Sequence, residues 1–373
     1  MIYLDNSSTT HKKPLTVKLA THKGVSSISV NPSRSGHRLA IKGAEAVYET
    51  REKLADFLGC TPESVILTSG CTMALNLAIR GTVKKGGHII TSIYEHNSVL
   101  RVLEYIKTKY AIEITYIKPN KSGQITAGDI SKKIKKNTYM VIINHTSNVT
   151  GITQNIEPIG KICKKHNLIL LVDGAQSVGH VNINMEKQNI NLLTVAGHKG
   201  LYAPEGVGAL LINNVAVSPI IFGGTGTSSD KAVQPTDYPD GLESGTPNIS
   251  GILGLNAGID FVRDNFDKIN NKIKKLSTMA LHSLNRIKNV VTYGDKNSGV
   301  ISIAIKGKDS STVSNMLSEK YNICTRSGLH CAPLIHKHLG TIKTGLTRVS
   351  ISYYNSSRDI SKLISAIEKI ALD

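Results

Sequence analysis

The strongest constraint in this sequence is a series of short apolar runs, each closed abruptly by a turn or a polar residue. Ser64-Val-Ile-Leu-Thr68, His88-Ile-Ile-Thr-Ser92, Tyr139-Met-Val-Ile-Ile-Asn144, the stretches 168–172 and 192–195, and Gly208-Ala-Leu-Leu-Ile212 are of this kind. Such runs are too short for helices and lack a polar alternate face, so they are expected as strands covered on both sides. Helical patterns fall between several of them, as in 43–57 and Ile156–Lys165. Strand and helix alternating in this way build a doubly wound α/β fold with a mostly parallel sheet. A helix rich in Lys and Asn is expected to start near Asn256 and lead into a smaller α+β part.

A parallel sheet presents its chemistry where the strands end. The run His166-Asn-Leu-Ile-Leu-Leu-Val172 delivers Asp173-Gly-Ala-Gln176, and Asn191-Leu-Leu-Thr-Val195 delivers Ala196-Gly-His-Lys199. Taken singly, the Asp could cap the next helix and the Gly-His-Lys could be a turn. Together, a carboxylate and an amine at one sheet edge are what pyridoxal phosphate needs: the amine condenses with the aldehyde, and the carboxylate keeps the pyridine nitrogen protonated. Ser69-Gly-Cys-Thr-Met-Ala-Leu-Asn76 follows a strand and opens a helix, a junction whose N–H groups and dipole favour a phosphate, although a helix cap of this composition is commonplace.

In this order and spacing the motifs resemble the class V aminotransferase group of fold-type I pyridoxal phosphate enzymes, and within it the cysteine desulfurases. The resemblance runs from Tyr3-Leu-Asp-Asn-Ser-Ser-Thr-Thr10 to Thr347-Arg-Val-Ser-Ile-Ser-Tyr-Tyr-Asn355. It implies a large cofactor-binding domain, 13–258, with a mostly parallel seven-stranded sheet between helices. Residues 1–12 and 259–373 would form a small α+β domain. The family pattern makes Lys199 the lysine that carries the cofactor, with Asp173 at the ring nitrogen and Gln176 at the ring oxygen. It places Cys71, Thr72 and His198 on the phosphate, Cys71 through its backbone. Asn148, in His145-Thr-Ser-Asn-Val-Thr-Gly151, matches the asparagine near the ring hydroxyl and substrate carboxylate. His96, in Glu95-His96-Asn97, is by itself an ordinary loop histidine; the resemblance makes it the ring-stacking residue that moves protons. Many relatives carry serine where this chain has Ala196, and losing a hydrogen bond to a charged group costs roughly 1.5–3 kcal/mol. Thr246, in Glu243-Ser-Gly-Thr-Pro-Asn248, is the candidate to compensate. The family threonine there reaches the neighbouring subunit's phosphate, which implies a homodimer with shared active sites.

The cofactor alone permits several reactions, and Arg326-Ser-Gly-Leu-His-Cys-Ala-Pro333 chooses among them. Gly328 and Pro333 argue for a loop, and Arg326 and His330 should favour a reactive thiolate at Cys331; the bland alternative is a buried cysteine acting as a small hydrophobe. The segment resembles the signature of class II cysteine desulfurases, whose cysteine takes sulfur from L-cysteine as a persulfide and releases L-alanine. Arg348 matches the arginine that grips the substrate carboxylate, with Arg326 beside it. A selenocysteine lyase or a cystine or cysteine C–S lyase would use the same fold, the last giving pyruvate and needing no Cys331.

The chain's 373 residues carry a net charge of +18, with lysine runs such as 132–136 and 272–275 spaced as if along amphipathic helices. Without an arginine-rich arm or interleaved aromatics, that charge points to a solvated surface rather than to nucleic acid, one that can steer acidic partners or anionic substrates; a sulfur-acceptor protein is a further expected partner. No stretch approaches the roughly 18 apolar residues of a membrane span, and no signal peptide opens the chain, so a cytoplasmic location is expected. Five cysteines, Cys60, Cys71, Cys163, Cys324 and Cys331, show no Cys-x-x-Cys pairing, which argues against disulfides and structural metal.

Overall fold

A computed structural model describes residues 1–32, 35–227 and 230–372. The strands are β1 (Ile2–Tyr3), β2 (Val65–Thr68), β3 (His88–Ser92), β4 (Glu113–Ile117), β5 (Thr138–Asn144), β6 (Ile169–Asp173), β7 (Leu192–Ala196), β8 (Gly208–Ile212), β9 (Val290–Gly294), β10 (Val300–Ile305), β11 (Ile323–Cys324) and β12 (Thr347–Ser350). The helices are α1 (Leu15–Ser26), α2 (Arg38–Leu58), α3 (Cys71–Gly81), α4 (Asn97–Tyr110), α5 (Ala127–Ser131), α6 (Ile156–Lys165), α7 (Ile249–Leu284), α8 (Ser310–Tyr321), α9 (Pro333–Leu339) and α10 (Ser357–Leu372).

Seven strands form the main sheet in the order β2-β8-β7-β6-β5-β3-β4. Only β8 runs against its neighbours, so six strands point one way and the expected mostly parallel α/β fold is present. Alternate side chains of one strand enter different cores: Val141 and Ile143 pack on one face of β5, Met140 and Ile142 on the other. Both faces are therefore dry, which is why these runs carry no polar alternate. The carboxyl ends of β5, β6 and β7 lie side by side, with Asn144 opposite Asp173 and Asp173 opposite Thr194. Gly208 opens β8 opposite Ala196; a Cβ there would come within 2.8 Å of the Gly70 Cα, so glycine lets the turn into α3 close over the sheet edge.

Beyond α7 a third core packs α8 and α10 on the sheet β12-β10-β9. The first residues of the chain join it: β1 pairs with β11, Asp5 bridges to Ser350, and Asn6 donates to the Ser350 carbonyl at 2.8 Å.

Three features differ from the sequence expectation. The edge strand β4 was not anticipated, because Glu113-Ile-Thr-Tyr-Ile117 mixes polar and apolar residues at the sheet margin. Helix α7 starts at Ile249, capped by the Asn248 side chain accepting from Gly251 N, rather than near Asn256. Its early glycines disguise it: a Cβ at Gly258 would lie 2.1 Å from the Leu201 carbonyl, so glycine allows α7 to press on the segment just after Lys199. The lysines of 132–136 lie in the turn after α5, not on a helix. Among the described residues no helix is long and apolar enough to cross a membrane.

Candidate active site

The carboxyl edge of the sheet opens into a cavity of about 370 Å³ lined by Cys71, Thr72, His96, Asn148, Asp173, Gln176, His198, Lys199, Arg326 and Arg348, with Ser7, Ser8 and Ser98 among them. Of the site residues singled out in the sequence, two do not line it: Thr246 lies in an adjoining cavity with Thr225 and Pro239, and Cys331 stands behind the lining residue Arg326. Its segment is anchored on the sheet by Glu243, which accepts from Arg51 at 2.7 and 2.8 Å and from Leu67 N at 2.5 Å.

Lys199 follows β7 in a tight turn, its own amide donating weakly to Ala196 O and its carbonyl accepting from Tyr202 N at 3.0 Å. No described residue hydrogen-bonds its amine. Burial, reinforced by Arg348 and Arg326, pushes that amine below the usual lysine range and so favours the uncharged, nucleophilic form; Cys71 and Asp173 oppose the shift. Asp173, buried at the end of β6, accepts from Ala175 N at 3.0 Å and from the Cys71 thiol at 3.5 Å. The Cys71 side chain turns away from the start of α3, donating also to Thr194 Oγ1 at 3.2 Å, and burial followed by the Asp173 charge holds it as a thiol, well above the usual range. The leading N–H groups of α3 are left facing the cavity beside the Thr72 hydroxyl.

His96 caps α4. Its Nδ1 accepts from Ser98 N at 3.1 Å, which leaves the ring hydrogen on Nε2, and the Ser98 hydroxyl links Nδ1 to Thr72 Oγ1 through contacts of 2.9 Å each. Burial, with Lys199 and the two arginines adding to it against the pull of Asp173, lowers its pKa to about 4. His198 is lowered to about 4 as well, by burial and then Lys199. Residues 7–10 fold across the cavity: Thr10 N donates to the His198 carbonyl at 3.1 Å, and Gln176 Nε2 donates to Ser7 O at 3.0 Å.

Arg348 is 1% exposed. It donates to Asp5 Oδ1 at 2.8 Å, Ser8 Oγ at 2.9 Å and Asn148 O at 3.2 Å, while its Nε has no partner. Arg326 reaches Ser8 Oγ at 3.2 Å with one nitrogen and comes within 3.7 Å of Cys331 Sγ with another. Cys331 is thus the cysteine beside a cavity-lining arginine, whereas Cys163 is buried in a helix, Cys324 lies on β11 and Cys60 sits in the turn after α2.

The donor set fits pyridoxal phosphate. Asn148 Oδ1, His198 Nδ1 and Arg348 Nε are buried without partners, as groups awaiting a polar ligand are. Lys199 supplies a free amine, Asp173 a carboxylate, and α3 an anion-binding helix start. Ala196 offers no hydroxyl, while Ser69, Thr72, Ser98 and His198 are among the polar side chains lining the same cavity.

Ser7, Ser8, Ser98 and Asn97 gave little signal in sequence. The spacing of His96 and Ser98 is that of a helix start, whereas the role of Ser7 and Ser8 depends on chain segments more than 300 residues apart meeting.

A model of the family Aminotransferase class-V matches residues 2–363. A probable cysteine desulfurase from Pyrococcus abyssi is 32% identical over 99% of this chain and 94% of its own length. The apo structure of a cysteine desulfurase from Thermococcus onnurineus NA1 superposes with a TM-score of 0.92 at 32% identity, covering 100% of this chain and 94% of the other. The cysteine desulfurase CsdA from Escherichia coli superposes with a TM-score of 0.89 at 26% identity, covering 99% and 94%. By sequence and by fold alike, this chain belongs to the class-V aminotransferase family, within its cysteine desulfurase group.

Proposed function

We propose that the protein is a pyridoxal-phosphate-dependent cysteine desulfurase that converts L-cysteine to L-alanine and takes the sulfur onto Cys331 as a persulfide. When bound, the cofactor supplies an electron sink for the bonds at the substrate α-carbon. The observation that supports the proposal is the Cys331 sulfur 3.7 Å from a nitrogen of Arg326, which itself lines the cavity holding Lys199.

Lys199 would hold the cofactor aldehyde, and the burial that lowers its amine favours the form that takes the α-proton. Asp173 would face the ring nitrogen, and Gln176 and the Asn148 Oδ1 would face the ring oxygen. Thr72, His198 and the first amides of α3 would receive the phosphate, with Cys71 contributing its backbone. Arg348 binds the substrate carboxylate with Asn148 beside it, and Arg326 stands against the Cys331 sulfur. His96, a neutral imidazole with its hydrogen on Nε2, would stack on the ring and has a proton to give. The Cys331 sulfur attacks the substrate sulfur and forms the S–S bond of the persulfide as the carbon–sulfur bond breaks, its electron pair passing to the substrate carbon, which is protonated on the way to alanine.

The proposal extends to a homodimer in which Thr246 serves the neighbouring site. It is supported by the position of Thr246 outside its own cavity and by exposed Ile221 and Phe222 nearby. A cytoplasmic location, a protein acceptor for the sulfur, and a division at 258/259, with 1–12 on the C-terminal side, complete it. Product analysis tests the function: alanine and a sulfur of about 32 Da on the Cys331 peptide are expected, and pyruvate without that adduct would overturn it.

A further inference from the structure

His330 and Cys331 stand in succession in the left-handed backbone region, at φ 50° and 57°. Neither is glycine, so the conformation is strained and persists only where surrounding bonds over-determine it. The stem of the loop is held by Leu346, which exchanges backbone hydrogen bonds with Gly328 at 3.1 and 3.2 Å and accepts from His330 Nε2 at 3.0 Å. The tip is held from the other side of the molecule. Asn148 Nδ2 donates to the His330 carbonyl at 2.7 Å, and the N–H of Asn97, the first residue of α4, donates to the Cys331 carbonyl at 2.6 Å. The next amide of the same helix, Ser98 N–H, holds His96 Nδ1. Cys331 and His96 are thus referenced to successive amides of one helix start, whose N–H groups have no intrahelical acceptor.

We infer that the backbone N–H of Asn97 and the side-chain amide of Asn148 are positioning groups for sulfur transfer. They lock the strained carbonyls of His330 and Cys331 and so fix the thiol relative to His96 and the cavity. The inference rests on the desulfurase function proposed above. Neither group touches Sγ; both act through the loop backbone, and Asn148 does so with the half of its amide that the ring oxygen does not need.

Asn97→Pro tests the inference in the cofactor-loaded enzyme. Proline suits the first position of a helix, and His96 at φ −72° and ψ 156° already has the extended backbone that precedes proline. The change removes the N–H and puts a ring carbon where the Cys331 carbonyl now sits. Asn97→Ala, which keeps the amide, is the comparison. Relative to it, kcat for alanine release should fall about 10- to 100-fold, with cofactor content and KM little changed. Hydrogen exchange of the peptide spanning 328–333 should quicken about tenfold or more. Asn148→Ala should quicken the same peptide, and decides the matter should Asn97→Pro fail to fold. Equal kcat and exchange in the two Asn97 variants, or unchanged exchange in Asn148→Ala, would overturn the inference. Failure of the desulfurase function would show differently, as pyruvate in place of alanine with no added sulfur on the Cys331 peptide, and would leave the exchange result standing.

Discussion

Arg348 separates a structural ion pair from a substrate-binding group. A guanidinium offers five N–H donors; three are engaged by Asp5, Ser8 and Asn148 O, which leaves Nε–H and one Nη1 hydrogen for a ligand. A hydrogen bond to a charged group contributes about 1.5–3 kcal/mol. Arg348→Lys keeps the charge but loses the planar donor set, so kcat/KM for L-cysteine should fall about 30- to 150-fold if 2–3 kcal/mol is lost. Arg348→Ala should fall further and should also cost about 3 kcal/mol of stability, because Asp5 keeps its charge without its partner. Asp5→Asn removes the ion pair but leaves the guanidinium, and should show a smaller loss in kcat/KM than either. The assay is alanine release against L-cysteine concentration, with cofactor absorbance and thermal unfolding measured on each variant. An Arg348→Ala enzyme with normal cofactor content and kcat/KM within about threefold of wild type would refute the assignment and leave Arg348 as the structural partner of Asp5.

Cys331→Ser should retain cofactor and its spectral response to L-cysteine but lose alanine and sulfide release by at least about 1000-fold; turnover to pyruvate would point to a C–S lyase instead. Borohydride reduction should fix the cofactor to the Lys199 peptide of the wild type, and Lys199→Ala should give no such adduct by mass spectrometry. Glu95, fully buried, accepts from Ser92 and Asn144 N, and burial raises its pKa from 4.5 to about 8. The folded chain therefore holds a proton that the unfolded chain releases, so the contribution is fully present below about pH 4.5 and is lost as pH rises to about 8. Thermal unfolding should show that decline, amounting to as much as about 5 kcal/mol, and Glu95→Gln should flatten it; parallel profiles for the two proteins would show that Glu95 is not the titrating group.

What could be read from sequence was what depends on short range and on burial. Asp173 and Lys199 were legible because a strand dry on both faces must end abruptly, and the residue at its end is aimed at the sheet edge. Strand β4 was not legible, because an edge strand need not be apolar on both faces, and the start of α7 was masked by glycines that serve close packing against Leu201 and Pro204. The Asn148 amide meets the His330 carbonyl across 182 positions of sequence, and Ser8 meets Arg326 across 318, so no local pattern carries either contact. The turning of the Cys71 thiol toward Asp173, away from the start of α3, was equally hidden, since spacing places a residue at a helix start without saying which way its side chain points.

The union of β1 with β11 and of Asp5 with Arg348 bears on how the chain acquires its native state. Residues 2–8 have partners at 322–355, so this stitch cannot form during synthesis until those residues have been made. Closing so long a loop costs about 0.6 kcal/mol for each doubling of length, whereas the main sheet can assemble earlier from neighbours much closer in sequence. The opening segment should therefore dock among the last steps, placing Ser7 and Ser8 over the cavity only then. A nascent or partly refolded chain would hold its sheet edge already built and its substrate arginine still without a counter-charge.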